Sequence, residues 1–310
     1  MAMHDDELHI DEQVARRLIA DHFSEWRLER VRRIVTAGTV NAIFRIGADL
    51  TARFPLRSAE PADVSRELAR ETVAMRELAA CCPVPTPVPV AVGKPGYGYP
   101  LPWSVQTWLP GTTATPKGLA DSDKFAHDLA DLIDSLRAAA TNGRQFAGSG
   151  RGGALQDSDE WMEVCFGASD GLLPVDRLRI LWAEFRDLPS AGPAMMTHGD
   201  LIPGNLLVEG DRLAGVLDGG GFAPSDPSLD LVAGWHMLDD ARRSLLRSEL
   251  ACNDLEWWRG AAWAFLQAMG LVWYYRESNP GMSALGKVTL ARILRDPVFS
   301  PLTAASTGVQ

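Results

Sequence analysis

Residues 197–220 read THGDLIPGNLLVEGDRLAGVLDGG, and this stretch decides the fold. The apolar runs 206–208 and 213–217 have strand character, and Glu209-Gly210-Asp211-Arg212 between them is turn-forming, which predicts a β-hairpin. Such a turn returns the chain to its start, so Asn205 and Asp218 are expected at the open end of the hairpin. An amide oxygen and a carboxylate there, with Asp200 five residues before Asn205, are hard oxygen donors of the kind Mg²⁺ takes.

The spacing Asp200-x-x-x-x-Asn205 suits phosphoryl transfer. In protein kinases an Asp in a D-x-x-x-x-N loop orients the attacking hydroxyl, while the Asn and a later Asp hold metal ions. Three motifs stand here in order: His198 to Val208, then Val216-Leu217-Asp218, then Asp226-Pro-Ser-Leu-Asp230-Leu231. With them the chain resembles the aminoglycoside phosphotransferase family, whose hallmarks are HGDLxPGNLLV, a hydrophobic-hydrophobic-Asp segment and DPxxDL. The resemblance runs the length of the chain, including the C-terminal WYYRESNPGM segment, and is strongest between Thr197 and Leu231. It implies an α+β, two-lobed, protein-kinase-like fold and a kinase acting on a small hydroxyl-bearing molecule. Carried onto these positions, it implies Asp200 as the catalytic base or hydroxyl-orienting group and Asn205 and Asp218 as Mg²⁺ ligands. His198 is then a support of the loop, and Asp226 and Asp230 are scaffold carboxylates.

Upstream, RRIV, NAIFRI and LTARF within residues 30–54 read as short strands separated by turn signals, a small antiparallel sheet. Residues 62–80 have helical periodicity until CCPVPTPVPV stops them, which sets one helix beside the sheet. Residues 104–109 form another strand candidate, and Pro110-Gly111 breaks it. The lobes are therefore expected to be residues 1–108, binding nucleotide, and residues 109–310, a mainly helical catalytic and substrate-binding lobe. Helical patterns run over 124–140, 175–185 and 245–275, and 148–153 reads as a flexible loop.

In the helix from residue 62, Val64, Leu68, Glu71, Met75 and Leu78 share one stripe, so Glu71 lies among apolar residues. A carboxylate on a buried face needs a partner, and the strand upstream offers Arg53, with Arg57 as a rival. This is the strand-to-helix ion pair that seats a phosphate-binding cation in kinases. The family usually has Lys where Arg53 stands, and the two differ at a phosphate site. Between two strands, Gly38, Thr39 and Asn41 are placed to cover nucleotide phosphates with backbone N–H groups. Thr107 and Leu109, at the lobe boundary, resemble the hinge that contacts the nucleotide base. Gly219 follows Asp218 where relatives usually place Phe or Trp, and the run Gly219-Gly220-Gly221 is expected to leave this loop mobile.

Composition bounds the rest. A chain of 310 residues, 46% of them hydrophobic, buries a substantial core. A net charge of −10 argues against nucleic-acid binding, which needs clustered Lys and Arg. The most apolar stretch, 260–275, is interrupted by Gln267 and reads as a buried helix, so no membrane span is expected. Four cysteines without disulfide or CxxC spacing fit a reducing cytoplasm. The resemblance implies ATP or GTP as co-substrate, with Mg²⁺. The leading expectation for the acceptor is an aminoglycoside-type antibiotic, which would make the chain a resistance enzyme, with a macrolide or a metabolite such as an amino alcohol or sugar as the alternative. Asp239, Asp240, Asp254 and Glu256 are candidates for receiving substrate ammonium groups or for an ordinary solvated face. A nucleotide-binding module without transfer activity is the rival reading, and the oligomeric state is open.

Overall fold

The computed structural model describes residues 8–34, 40–148, 151–300 and 302. The chain divides into two compact units, one drawn from Met1–Ala80, Pro85–Gly111 and Gly215–Gly221, the other from Cys81–Val84, Thr112–Ala214 and Phe222–Gln310.

The first unit contains α1 (Glu12–His22), β1 (Val31–Ile34), β2 (Asn41–Ile46), β3 (Leu50–Pro55), α2 (Pro61–Cys81), β4 (Pro89–Gly93) and β5 (Trp103–Thr107). Its sheet has the order β1-β2-β3-β5-β4, and every pairing is antiparallel. Side chains alternate across such strands. Ala42, Phe44 and Ile46 of β2 and Ala52 and Phe54 of β3 therefore enter one core, where Phe54 stacks on Trp103 at 4.7 Å between ring centroids. Arg53, between two buried neighbours, leaves on the opposite face.

Two elements here differ from the sequence expectation. The unit has a second helix, α1, whose Ala15, Leu18 and Ile19 recur at helical spacing and are buried, and whose start is capped by Asp11 accepting from the Val14 N–H at 2.8 Å. Within the proline-rich run that ends α2, β4 forms at the sheet edge and begins on Pro89, where a missing N–H breaks no central ladder.

The second unit contains β6 (Thr112–Thr113), α3 (Asp123–Ala138), α4 (Asp159–Ala168), α5 (Val175–Arg186), β7 (Met195–Thr197), β8 (Leu206–Glu209), β9 (Arg212–Val216), β10 (Ala223–Ser225), α6 (Val232–Met237), α7 (Asp240–Glu249), α8 (Asp254–Tyr274) and α9 (Pro280–Arg295), with the last two residues of β9 counted in the first unit. The expected hairpin is β8–β9, extended by β6. Asp128 of α3 anchors it. Arg212 donates to Asp128 through Nε at 2.7 Å and Nη2 at 2.6 Å, and the Leu213 N–H donates at 2.8 Å.

The pattern over 245–275 resolves into two helices. Ala251 adopts a φ of +49°, which ends α7, and Asn253 starts α8 by accepting from the Glu256 N–H at 2.9 Å. Trp263, Phe265 and Met269 of α8 are fully buried. Among the described residues no helix is long and apolar enough to cross a membrane.

Residues 151–153 are tied down where a flexible loop was expected. The Gly152 carbonyl accepts from the Asp226 N–H at 2.9 Å and the Gly153 carbonyl from Arg259 Nη2 at 3.3 Å. Gly152 has a φ of +107°, and a Cβ there would stand 2.7 Å from the Ser225 Cβ, so no other residue fits.

Candidate active site

The loop that carries Asp200 leaves β7, which pairs with β10 through Thr197↔Ala223. The Thr197 and Ser225 hydroxyls meet at 2.6 Å across this pair. Immediately after it, Asp230 accepts from the backbone N–H groups of His198 and Gly199, at 2.8 and 2.9 Å. Burial pushes the Asp230 carboxyl above its ordinary range, against the pull of His198 and these two bonds. The DPxxDL motif thus braces the loop. Its other carboxylate, Asp226, is equally structural: it accepts from Arg259 Nε at 2.7 Å, Trp263 Nε1 at 2.8 Å and the Ser228 N–H at 2.9 Å.

Asp200 is held by side chains from three other elements. Its Oδ1 accepts from Arg151 Nη2 at 2.9 Å and from Gln267 Nε2 of α8 at 2.8 Å. Its Oδ2 accepts from Asn205 Nδ2 at 3.1 Å and keeps lone-pair capacity for a further donor. Burial acts to raise the pKa of Asp200, but the charge and hydrogen bond of Arg151, the charge of His198 and the bond from Gln267 outweigh it. The carboxyl ends below the ordinary aspartate range. Asp200 is therefore an anion at neutral pH.

The same contacts fix the direction of Asn205. Its NH₂ donates both to Asp200 Oδ2 and to the Asp200 carbonyl, the latter at 2.9 Å, which leaves the amide oxygen pointing elsewhere as a free hard donor.

Behind Gln267 lies a buried chain. Gln267 Oε1 is 3.0 Å from His236 Nε2, and His236 Nδ1 is 2.8 Å from the Thr289 hydroxyl. Burial holds His236 down at a pKa of about 4, so it is neutral. Because the Gln267 amide N–H faces Asp200, its oxygen must accept, which assigns the ring proton to Nε2.

In the first unit, Arg53 Nη2 donates to Asp218 Oδ1 at 2.9 Å. No ion pair joins Arg53 to Glu71 among the described residues, although the charge of Arg53 lowers the Glu71 pKa. The expected strand-to-helix pair is corrected accordingly: the direct partner of Arg53 is the Asp218 carboxylate, 51% exposed. Burial, the largest effect on Glu71, together with Asp218, pushes its pKa up, which makes Glu71 the poorer anion to meet a guanidinium. Arg57 is exposed and takes no part among the described residues.

Asp218 has a φ of +60°, a conformation Asp tolerates better than most residues. The glycines after it are not loose. Gly219–Gly221 form a 3₁₀ turn, and a Cβ on Gly219 would stand 2.3 Å from Leu78 Cδ2 of α2. Leu78 fills the space an aromatic side chain would need.

The remaining nucleotide-side candidates divide. Gly38 and Thr39 lie outside the described residues, and Asn41 opens β2 opposite Pro55. The Thr107 N–H is taken by the Val88 carbonyl and that of Trp108 by the Asp49 carbonyl, both within 2.9 Å, which leaves Leu109 as the residue of this segment whose N–H is unclaimed among those described. The four acidic candidates of the second unit all meet arginine: Asp239 with Arg242, Asp240 with Arg243, Asp254 with Arg247 and Glu256 with Arg137. Trp257 and Trp263 are core.

The sequence reading missed Arg151, Gln267 and His236. Gln267 carried a usable signal, since a lone amide in an otherwise apolar helix needs a partner. Arg151 and His236 carried none.

Among the described residues no group of three or more His, Cys, Asp or Glu could hold a metal ion. Asn205 of the second unit and Asp218 of the first each offer a hard oxygen of the kind Mg²⁺ takes.

A kinase-like fold with a braced Asp-x-x-x-x-Asn loop defines a phosphotransferase. The phosphotransferase enzyme family model matches residues 31–268, and the chain belongs to that family. Solved structures similar to it include the GDP and kanamycin complex of APH(2")-IIia, 18% identical over 90% of this chain and 98% of that one, with a TM-score of 0.67. A macrolide 2'-phosphotransferase, MphH from Brachybacterium faecium, is 19% identical over 89% and 98%, with a TM-score of 0.60. The streptomycin-ATP-APH(2")-IIa ternary complex is 14% identical over 92% and 97%, with a TM-score of 0.55. No curated protein sequence matches the chain.

Proposed function

We propose that this protein transfers the γ-phosphoryl group of ATP or GTP to a hydroxyl of a small molecule. Residues 1–108 serve as the nucleotide lobe and residues 109–310 as the catalytic and acceptor lobe, in the cytoplasm. The observation that carries this reading is the Asp200 carboxylate, ionised, held by Arg151, Gln267 and Asn205, and left with room on Oδ2 for one more donor.

The acceptor hydroxyl donates to Asp200 Oδ2 and is aligned there for in-line attack. A loose transition state asks little of a base, so a carboxylate of low pKa serves by orientation. Asn205 and Asp218 supply oxygen ligands to Mg²⁺, which when bound neutralises charge on the phosphate oxygens. Arg53 grips the phosphates, with Glu71 in its field, and Gly38, Thr39, Asn41, Thr107 and Leu109 contribute nucleotide contacts. The similar structures titled as complexes with GDP, ATP, kanamycin and streptomycin support a nucleotide and a small acceptor. An aminoglycoside draws no support from Asp239, Asp240, Asp254 and Glu256, each already paired with arginine.

Calorimetric titration of ATP and GTP, with and without Mg²⁺, into the wild type and Asp218→Ala tests the nucleotide site. Metal-dependent binding that weakens in the variant supports it. Absence of binding by either nucleotide would reduce the kinase features to inherited form.

A further inference from the structure

One group beside Asp200 is not explained by phosphoryl transfer alone. Arg151 Nη2 holds the Asp200 carboxylate, but Arg151 Nη1 is buried and has no hydrogen-bond partner. Buried charged donors are almost always satisfied, because leaving one unmet forfeits its hydration without return. The loop following Arg151 is pinned by the Gly152 and Gly153 carbonyls, so the guanidinium is placed by construction rather than draped on the surface.

A second cation lies in the same unit without a carboxylate. Arg292 donates to the carbonyls of Trp235, His236, Met237 and Pro116, and no ion pair joins it among the described residues. Arg151 and Arg292 both act electrostatically on His236, which touches Gln267 and through it Asp200. Asp239, Asp240, Asp254 and Glu256 already have cationic partners in Arg242, Arg243, Arg247 and Arg137.

We propose that Arg151 binds the acceptor through Nη1, and that the acceptor carries an anionic oxygen group, a carboxylate or a phosphate, beside the hydroxyl that is phosphorylated. The inference rests on the phosphotransferase reading above. Arg151 is then the residue that selects the acceptor: its fork reads the anionic group with one nitrogen and holds the orienting carboxylate with the other.

The test pairs anionic acceptors with neutral ones of similar size: glycerate and glycerol 3-phosphate against glycerol, gluconate against glucitol, with kanamycin as the polycation. Binding is measured by calorimetry on the nucleotide-free protein, and turnover by nucleoside diphosphate release. The wild type is expected to favour at least one anionic member over its neutral counterpart by about tenfold to a hundredfold. Arg151→Lys keeps a cation on Asp200 and removes the second donor. It is expected to abolish the preference by raising KM for the anionic acceptors and not for the neutral ones, and preference for glycerate over glycerol 3-phosphate, or the reverse, assigns the anion. Equal handling of anionic and neutral compounds, or a preference for kanamycin, overturns the proposal. So does an Arg151→Lys variant that keeps the anionic preference in KM and loses kcat by the same factor for every acceptor, which would put Nη1 on the transferred phosphoryl group. Mg²⁺-dependent nucleotide binding in the same protein separates these failures from failure of the phosphotransferase reading itself.

Discussion

Leu78 and Gly219 exclude each other's side chains: a Cβ on Gly219 would stand 2.3 Å from Leu78 Cδ2, and Leu78 is fully buried. Gly219→Phe is expected to destabilise the protein by about 1–3 kcal/mol through overpacking. Leu78→Ala alone is expected to cost about 2–5 kcal/mol. In the double variant the two defects offset in part, and urea denaturation of all four proteins measures the coupling. Strict additivity would rule out the exchange of volumes.

With Asp200 orienting the acceptor hydroxyl as proposed, its depressed pKa is expected to set the acid limit of activity. Its orienting anion is present above the ordinary aspartate range and is lost only as pH falls through the lower folded value. The pH profile of kcat/KM is therefore expected to show no acid limb from Asp200 between about pH 5 and 8. Arg151→Lys, Gln267→Leu and Asp200→Asn separate the contributions, with Asp200→Asn abolishing turnover at every pH while sparing nucleotide affinity. A limb near pH 6 in the wild type would contradict the low value.

His236 makes the fold sensitive to mild acid. It is buried neutral with a pKa of about 4 against 6.5 when free, so the unfolded chain takes up a proton before the folded one does. Stability is undiminished by this group above the free value and declines as pH falls from 6.5 towards 4, by on the order of 3 kcal/mol in all. Denaturation midpoints at pH 7, 5.5 and 4.5, compared with His236→Gln, report the effect. The variant is expected to be less stable at pH 7 and flatter across the series.

Gln267 is expected to act on kcat rather than on nucleotide affinity. Gln267→Leu removes a donor from Asp200 and leaves the His236 Nε2–H unmet, and a lost bond to a charged group corresponds to roughly a tenfold to hundredfold fall in kcat/KM. Gln267→Asn, too short to span both partners, should give a similar loss, and unchanged kcat in both variants would confine Gln267 to a packing role.

The motif between residues 197 and 231 was legible because its chemistry is local. The D-x-x-x-x-N spacing and the hairpin each depend on residues a few positions apart, whereas the brace by Asp230 reaches back 31 and 32 positions and showed only as part of a motif. Short strands, the α2 stripe with Glu71 and the buried character of α8 were also readable from period alone. The break between α7 and α8 was hidden inside a continuous apolar pattern, and α1 was passed over although its buried residues recur at helical spacing.

From the sequence come the three residues proposed for phosphoryl transfer, Asp200, Asn205 and Asp218, and the elements that carry them. Tertiary structure decided their partners. Arg53 meets Asp218 rather than Glu71, Leu78 takes the space beside Gly219, and Arg151, Gln267 and His236 converge on Asp200 from a loop and two helices far apart in the chain. Spacing along a chain encodes contacts within an element. A hydrogen bond between residues separated by tens of positions depends on where two packed elements finally lie, and no local pattern records that.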